Sequence, residues 1–242
     1  MPANKTLRIS FWSIPRTVST ACLRSFAGRP DCTGVDEPFY AWYLAQTGKQ
    51  HPLRDEVLAA QAQDWREVVE QVLAVPISTP LQFVKHMSHH MVGDIGLDWL
   101  DSSEHRHVFL LRDPSEQLPS IQRELGDISI VDAGWTRHHQ LFTVLPNPLV
   151  IDSRELLENP ERMLRALCLE LEIDFDPCMI KWEAGRHPSY GVWAPSWYPA
   201  VEKSTGFQPW RPRQEDFPAE LEPLLAECMP LYEEMRAVRL KA

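Results

Sequence analysis

The chain has 242 residues, of which 44% are hydrophobic and 24% are charged. This composition is typical of a soluble globular protein and fits one α/β domain spanning residues 1–242, while the net charge of −10 argues against general binding to nucleic acids or membrane surfaces. No apolar run approaches the roughly 18 residues of a membrane span, and no secretion signal opens the chain, so we predict a cytoplasmic protein.

The first predicted strand is the apolar run from Leu7 to Trp12, and a helix is predicted from Ala21. A strand, a tight loop and a helix form a phosphate-binding frame, in which backbone amides and the helix dipole attract an anion. Arg16 adds a full positive charge to this loop. The other candidate anion-binding residues are Pro15, Thr17, Val18, Ser19 and Thr20. The loop has no glycine and its cation precedes the hydroxyls, unlike the Walker pattern of Mg-dependent nucleoside triphosphatases.

The proline, the basic residue and the Ser-Thr pair of this loop carry a family resemblance. They resemble the 5′-phosphosulfate loop of sulfotransferases that use 3′-phosphoadenosine 5′-phosphosulfate (PAPS). The resemblance implies a P-loop-like sulfotransferase fold in which this loop binds the phosphosulfate. It also implies that Arg16 contacts the oxygen between phosphate and sulfur.

The second predicted strand is Cys32–Val35, and acidic residues follow it directly. Glu37 interests us most, because a carboxylate just past a strand lies on the rim where open parallel sheets bind ligands. The alternative is that Asp36 or Glu37 caps the helix that follows Pro38. The sequence leaves both interpretations open.

A long amphipathic helix is predicted over residues 55–75, followed by a third strand over residues 81–85. Three histidines, His86, His89 and His90, come directly after that strand. Neither a metal-binding HExxH pattern nor a group of nearby carboxylates accompanies them, and the five cysteines lack metal-ligand spacing. We therefore predict no metal site, free thiols, and histidines that meet a phosphate, a substrate or each other.

The fourth predicted strand, His105–Leu111, leads into a second strand-to-helix junction. Asp113 fits the N-cap of the helix, and Glu116 fits the reciprocal position of a capping box. Arg112 and Ser120 are close enough along this junction to converge on one anion. An arginine followed by Asp-Pro, with a serine eight residues after the arginine, resembles the 3′-phosphate motif of sulfotransferases. By that likeness Arg112 and Ser120 hold the 3′-phosphate of PAPS.

The remaining elements continue the alternation of helices and strands. Helices are predicted over residues 133–145, from residue 152, from residue 159 and over residues 221–238 with a bend at Pro230; a short strand is predicted over residues 149–151. Residues 181–213 are irregular and rich in aromatics, so they form either a lid over the substrate or an irregular plug of the core. Within this segment, Lys203, Ser204 and Thr205 occupy the place from which sulfotransferases return a late loop to the 3′-phosphate.

These elements predict a three-layer α/β/α sandwich with a mainly parallel sheet. The resemblance implies a PAPS-dependent sulfotransferase that acts on a hydroxyl or amine of a small-molecule acceptor. Cytosolic sulfotransferases place a histidine in a Lys-Thr-His sequence, but this chain has Lys85-His86-Met87 there. Tyrosylprotein and some bacterial carbohydrate sulfotransferases use a glutamate after the second strand, which favours Glu37 as the base, with His89, His90 or His86 in reserve. A silent nucleotide-binding protein and an ATP-dependent phosphotransferase remain alternatives.

Overall fold

Five parallel strands form the centre of the molecule, whose computed structural model describes residues 6–100 and 104–242. The strands are β1 (Leu7–Ser13), β2 (Cys32–Asp36), β3 (Leu81–Met87), β4 (His105–Leu111) and β5 (Leu149–Asp152). Their order across the sheet is β2-β3-β1-β4-β5, and each neighbouring pair runs parallel. The strands predicted from apolar runs are therefore confirmed to within two residues at each end.

Helices cover both faces of this sheet. They are α1 (Ser19–Ala27), α2 (Tyr40–Thr47), α3 (Arg54–Ala60), α4 (Trp65–Val68), α5 (Pro114–Leu125), α6 (Ile130–Ala133), α7 (Trp135–Val144), α8 (Ser153–Glu158), α9 (Pro160–Glu170), α10 (Ala194–Trp197), α11 (Pro199–Glu202) and α12 (Glu222–Ala237). α12 runs through Pro230. Among the described residues, no helix has the length and apolar character to cross a membrane.

Alternating side chains of the strands build two separate hydrophobic cores. In β4, Val108 and Leu110 face one core together with α1, α8 and α9, while Phe109 and Leu111 face the other together with α5, α7 and α12. This division follows from the two-residue period of a strand, whose successive side chains point to opposite faces. The predicted three-layer α/β/α sandwich is confirmed.

The predicted helix over residues 55–75 is interrupted in the structure. α3 ends at Ala60, because the backbone of the next residue, Gln61, is extended. α4 begins after Asp64, whose carboxylate accepts a hydrogen bond from the Arg66 amide. The amide side chain of Gln61 donates to the Glu37 carbonyl at 3.1 Å and accepts from the Ala41 amide at 3.1 Å. If the helix were continuous, Gln61 would no longer reach the Glu37 carbonyl and the Ala41 amide, and both groups would lose this hydrogen-bond partner.

Two local details differ from the predictions. The predicted helix over residues 133–145 is present as α7, but it begins at Trp135 because the chain turns at Gly134, where φ is +85° and a Cβ would lie 2.8 Å from the Ile14 side chain. Asp113 caps α5, but Glu116 completes no capping box. Its carboxylate instead accepts hydrogen bonds from Arg112 at 3.3 Å and from Trp210 at 2.9 Å. In both cases a tertiary contact decides the local structure.

Candidate active site

A cavity of about 350 Å³ opens at the carboxyl ends of β1, β3 and β4. Its lining includes every residue of the predicted phosphosulfate loop, together with Glu37, His89, His90, Arg112 and Ser204. Open parallel sheets bind ligands at this edge, because the loops that follow the strands converge there. The fold therefore brings most of the predicted site residues to one surface.

The loop between β1 and α1 reaches the cavity through unusual backbone conformations. Arg16 and Val18 both have left-handed φ values, +67° and +59°. Glycine adopts this conformation readily, whereas a β-branched valine rarely does. No side chain caps α1, and the first amides of a helix have no partner within it unless a capping group supplies one. The Ala21 amide donates to the Val18 carbonyl at 3.0 Å, so the amides of Ser19 and Thr20 are the ones available to an anion at the cavity.

Side chains within and behind the loop hold it in this shape. The Thr17 hydroxyl, predicted as an anion ligand, is buried and donates to the Ile14 carbonyl at 2.8 Å. The buried amide of Gln117 donates to the Pro15 carbonyl and to the Ala133 carbonyl, both at 3.0 Å. The sequence analysis missed Gln117, because nothing along the chain marks a glutamine in α5 as the support of a loop that is about 100 residues away.

The two predicted anion motifs meet at one end of the cavity. The Arg16 guanidinium donates to the Ser120 hydroxyl at 3.0 Å, and Arg112 donates to the Arg16 carbonyl at 2.7 Å. Glu116 and Glu124 lie beside the two arginines, at 3.3 Å from Arg112 and 3.9 Å from Arg16. Both arginines thus line the cavity where the sequence predicts a nucleotide with two phosphate groups, whereas Ser120 lies outside the lining and contacts Arg16.

Glu37 lies at the other end of the cavity with a left-handed φ of +40°. Its amide donates to the Lys85 carbonyl at 2.9 Å, which extends the pairing of β2 with β3. Its Oε1 accepts from Lys85 at 2.7 Å and from Tyr198 at 3.0 Å, while Oε2 lies 3.9 Å from His90 Nδ1. The N-cap residue of α2 is Phe39, and no side chain caps that helix. The capping alternative for Glu37 is therefore wrong.

Lys85 is the centre of a buried polar cluster that the sequence analysis did not predict. Its ammonium donates to Asp36 at 3.0 Å, to Glu37 at 2.7 Å, to Thr20 at 3.2 Å and to Tyr198 at 2.6 Å. The available signal was a lysine inside a strand predicted from its apolar residues, because a charge that is buried in a strand needs a partner. The cluster connects the phosphosulfate loop to Glu37.

Attraction to the neighbouring carboxylates keeps the Lys85 ammonium charged despite its burial, since its pKa is raised. Burial disfavours the ammonium, but attraction to Asp36 and Glu37 outweighs it and raises the pKa of Lys85 above its ordinary value. Burial also raises the pKa of Asp36, and Lys85 opposes this effect. For Tyr198, burial and the adjacent carboxylates raise the pKa well above its ordinary value. Tyr198 is thus a neutral hydrogen-bonding group at neutral pH.

The three histidines after β3 separate into two environments. His86 points to the face opposite Lys85 and stacks on Trp12 with ring centroids 4.4 Å apart. His89 and His90 line the cavity instead. Burial lowers the pKa of each of these three histidines well below its ordinary value. They are neutral at neutral pH, and the structure does not bring His86 to the cavity.

The segment over residues 181–213 contributes to the cavity through Trp197, Tyr198, Val201 and Ser204, among other residues. The Ser204 hydroxyl accepts from Trp182 at 3.1 Å and donates to the Val201 carbonyl at 2.7 Å, so it is engaged within its own segment. Lys203 and Thr205 are exposed and lie outside the cavity lining. Of the three predicted phosphate ligands in this segment, only Ser204 reaches the cavity.

A family model described as a sulfotransferase domain matches residues 7–239. Branched-chain-amino-acid aminotransferase-like proteins 2 and 1 of Arabidopsis thaliana are 38% and 39% identical to the chain over 94% and 95% of its length. The chain spans only 41% of each of these two proteins.

Two solved structures resemble the fold. The sulfotransferase domain from the Synechococcus PCC 7002 olefin synthase has a TM-score of 0.56 at 17% identity, covering 100% of this chain and 98% of that one. A sulfotransferase from Alicyclobacillus acidocaldarius has a TM-score of 0.52 at 10% identity, covering 97% of each chain. At these identities the likeness concerns the fold alone.

Proposed function

Because the chain belongs to the sulfotransferase domain family, we propose that it transfers a sulfuryl group from PAPS to a hydroxyl or amine of a small-molecule acceptor. The observation that carries the proposal is that Arg16 and Arg112 line the same cavity as Glu37, with the Ser120 hydroxyl bonded to Arg16. PAPS carries a 5′-phosphosulfate and a 3′-phosphate, and the two strand-to-helix junctions supply one anion-binding group for each.

The part of the cavity lined by Arg16 and Arg112, which we call the nucleotide end, stabilises the negative charge of the leaving group during transfer. Arg16, the uncapped amides of α1 and the hydroxyls of Ser19 and Thr20 face the negative charge that develops on the leaving 5′-phosphate. Arg112 and Ser120 bind the 3′-phosphate. Charge-assisted hydrogen bonds of this kind are about twice as strong as neutral ones. Because ATP has no 3′-phosphate to form them, these residues distinguish PAPS from ATP.

Glu37, which lines the same cavity, removes the proton of the acceptor. Glu37 Oε1 is engaged by Lys85 and Tyr198, whereas Oε2 faces His90 at a distance too long for a hydrogen bond. Oε2 is therefore the atom that accepts the proton as the acceptor attacks sulfur. A general base in this position contributes roughly 10²-fold to 10⁴-fold to the rate.

The proposal is tested first by nucleotide preference. Calorimetry compares the binding of 3′-phosphoadenosine 5′-phosphate (PAP) with that of ADP, and we expect clear preference for PAP. Equal affinity would overturn the PAPS assignment and favour an ATP-dependent phosphotransferase. Labelled PAPS is then incubated with a panel of alcohols, phenols and amines. Tight PAP binding without any transfer would instead favour a silent nucleotide-binding protein.

The variant Glu37→Gln tests the assignment of the base. Glutamine keeps the length of the side chain and an oxygen for Lys85, but it cannot take a proton. We expect transfer to fall about 10²-fold to 10⁴-fold, while PAP affinity measured by calorimetry stays near that of the wild type. Glu161→Gln, on the exposed face of α9, is the control for a lost carboxylate. Near-normal turnover of Glu37→Gln would remove Glu37 from this role.

A further inference from the structure

Aromatic rings line the part of the cavity next to Glu37. We call this part the ring chamber; its residues are Tyr40, Tyr43, His51, His89, His90 and Trp197. His90 lies between two tyrosines, with centroids 4.8 Å from Tyr40 at an interplanar angle of 6° and 4.6 Å from Tyr43 at 25°. The stacking fixes the plane of the imidazole, and in this orientation of the ring Nδ1 faces Glu37 Oε2 at 3.9 Å.

The walls of the ring chamber carry no net charge that an acceptor could pair with. Burial lowers the pKa of His51, His89 and His90, so all three rings are neutral at neutral pH. Lys49 and Asp132, the charged pair at the edge of the chamber, are in direct contact with each other. An anionic acceptor would lose hydration here without gaining a counter-ion, because Lys49 is already paired with Asp132.

Three buried nitrogen atoms of the chamber have no hydrogen-bond partner within the described chain. They are Nδ1 of His89, Nδ1 of His90 and Nε1 of Trp197, and of these His90 Nδ1 lies within reach of Glu37. Buried polar groups are almost always satisfied by protein, water or ligand. His90 Nδ1 lies 3.9 Å from Glu37 Oε2, and one hydroxyl oxygen between these atoms can form a hydrogen bond of ordinary length to each.

We propose that the acceptor is an uncharged alcohol or phenol with a flat apolar body, and that its reacting hydroxyl is held between Glu37 Oε2 and His90 Nδ1. This inference rests on the proposed sulfotransferase function. The hydroxyl oxygen forms a bond to the sulfur of PAPS, and the bond between that sulfur and the 5′-phosphate oxygen breaks. The bonding electron pair leaves with the phosphate, and the hydroxyl proton passes to Glu37. His90 positions the acceptor and exchanges no proton in this scheme.

His90→Phe tests the position of the hydroxyl. Phenylalanine keeps the stack between Tyr40 and Tyr43 but removes both nitrogens. With 2-naphthol as the acceptor, we expect kcat/KM to fall about tenfold, as for one lost hydrogen bond. Most of the loss should be in KM, and PAP affinity should stay unchanged. His86→Phe is the matched control, because His86 is also buried with unpartnered nitrogens but lies on the opposite face of the sheet. Unchanged acceptor kinetics in His90→Phe, or equal losses in both variants, would overturn the role of His90.

The acceptor class is tested on the wild-type protein with three matched compounds. 2-Naphthol has an uncharged flat body, 6-hydroxy-2-naphthoate adds one carboxylate, and glucose has hydroxyls without an apolar face. We expect kcat/KM for 2-naphthol to exceed the other two values at least tenfold. Preference for either of the others, or transfer to none, would overturn the acceptor class. PAP calorimetry separates this outcome from failure of the proposed function, because PAP binding is independent of the acceptor.

Discussion

The two strand-to-helix junctions at the nucleotide end of the cavity differ in how the helix begins. At the β1–α1 junction, Arg16 and Val18 have left-handed backbones and no side chain caps the helix. At the β4–α5 junction, Pro114 occupies the first turn and Asp113 accepts a hydrogen bond from the Ser115 amide at 2.9 Å. The first junction leaves the amides of Ser19 and Thr20 open, whereas the second has a proline at the first position and an acceptor for the amide of Ser115.

This difference indicates two ways of binding an anion in one cavity. An uncapped helix start offers backbone amides, which point in fixed directions and suit a charge that changes during reaction. A capped helix start has no such amides to offer, so it can bind an anion only through side chains, here Arg112 and Ser120. The first arrangement suits catalysis and the second suits recognition.

The largest effect is expected from the removal of the arginine in the uncapped junction. In Arg16→Ala we expect kcat to fall about 10²-fold to 10³-fold, because a preorganised charge next to the leaving oxygen is lost. PAP affinity, measured by calorimetry, should weaken much less. Arg16→Lys is the control that keeps the charge. Equal losses in turnover and in PAP affinity would reduce Arg16 to a binding residue.

Arg112→Ala should act on recognition. We expect PAP affinity to fall about tenfold to a hundredfold, the magnitude of a hydrogen bond to a charged group, and the affinity for adenosine 5′-monophosphate to change little. Calorimetry with both nucleotides measures the difference. Arg112→Lys keeps the charge without the planar fork and should lose an intermediate amount. If both nucleotides lost affinity equally, Arg112 would not read the 3′-phosphate.

Asp113→Ala should affect only stability. Loss of the N-cap of α5 is expected to lower the free energy of unfolding by about 1 kcal/mol, as measured by denaturant unfolding, and to leave PAP affinity unchanged. Ser115→Ala removes only the hydroxyl bond to Asp113, which is 2.6 Å long, and serves as the milder comparison. A marked loss of PAP affinity in Asp113→Ala would show that this helix start also belongs to the anion site.

The smallest effect is expected at Val18. Glycine relieves a left-handed conformation that costs an ordinary residue about 1–2 kcal/mol, but it gives up apolar contacts and has a more flexible unfolded chain. We expect Val18→Gly to change the free energy of unfolding by less than about 1 kcal/mol, measured in the same way. Val57→Gly, at a fully buried position inside α3, should cost several times more. Similar losses in both variants would contradict strain at Val18.

The sheet and the two strand-to-helix junctions could be predicted from the sequence because each is encoded by neighbouring residues, while the binding of PAPS at these junctions stays a prediction. Apolar runs mark buried strands, and Arg112 and Ser120 are separated by two helical turns. The strand period could also have separated His86 from Lys85, since successive residues of a strand face opposite sides. The apolar alternation of β3 therefore held more information about the histidines than their close spacing did.

The polar cluster and the helix break could not be predicted, because their causes are distant in the sequence. Lys85 is buried only because Asp36, Glu37 and Tyr198 come together around it. Gln61 leaves its helix to satisfy the Glu37 carbonyl and the Ala41 amide. Helical periodicity contains no information about tertiary contacts of this kind. At Gln61 the tertiary hydrogen bonds override the local preference for a helix.

The bond between Lys85 and Tyr198 joins residues that are 113 positions apart in the chain. A ribosome makes proteins from the N-terminus at about 5–20 residues per second, so Lys85 and both carboxylates emerge several seconds before Tyr198. During that interval the lysine and the carboxylates are already made, but the tyrosine hydroxyl that bonds to them is not. The polar cluster around Lys85 is therefore completed late in biosynthesis, after the chain of all five strands has been made.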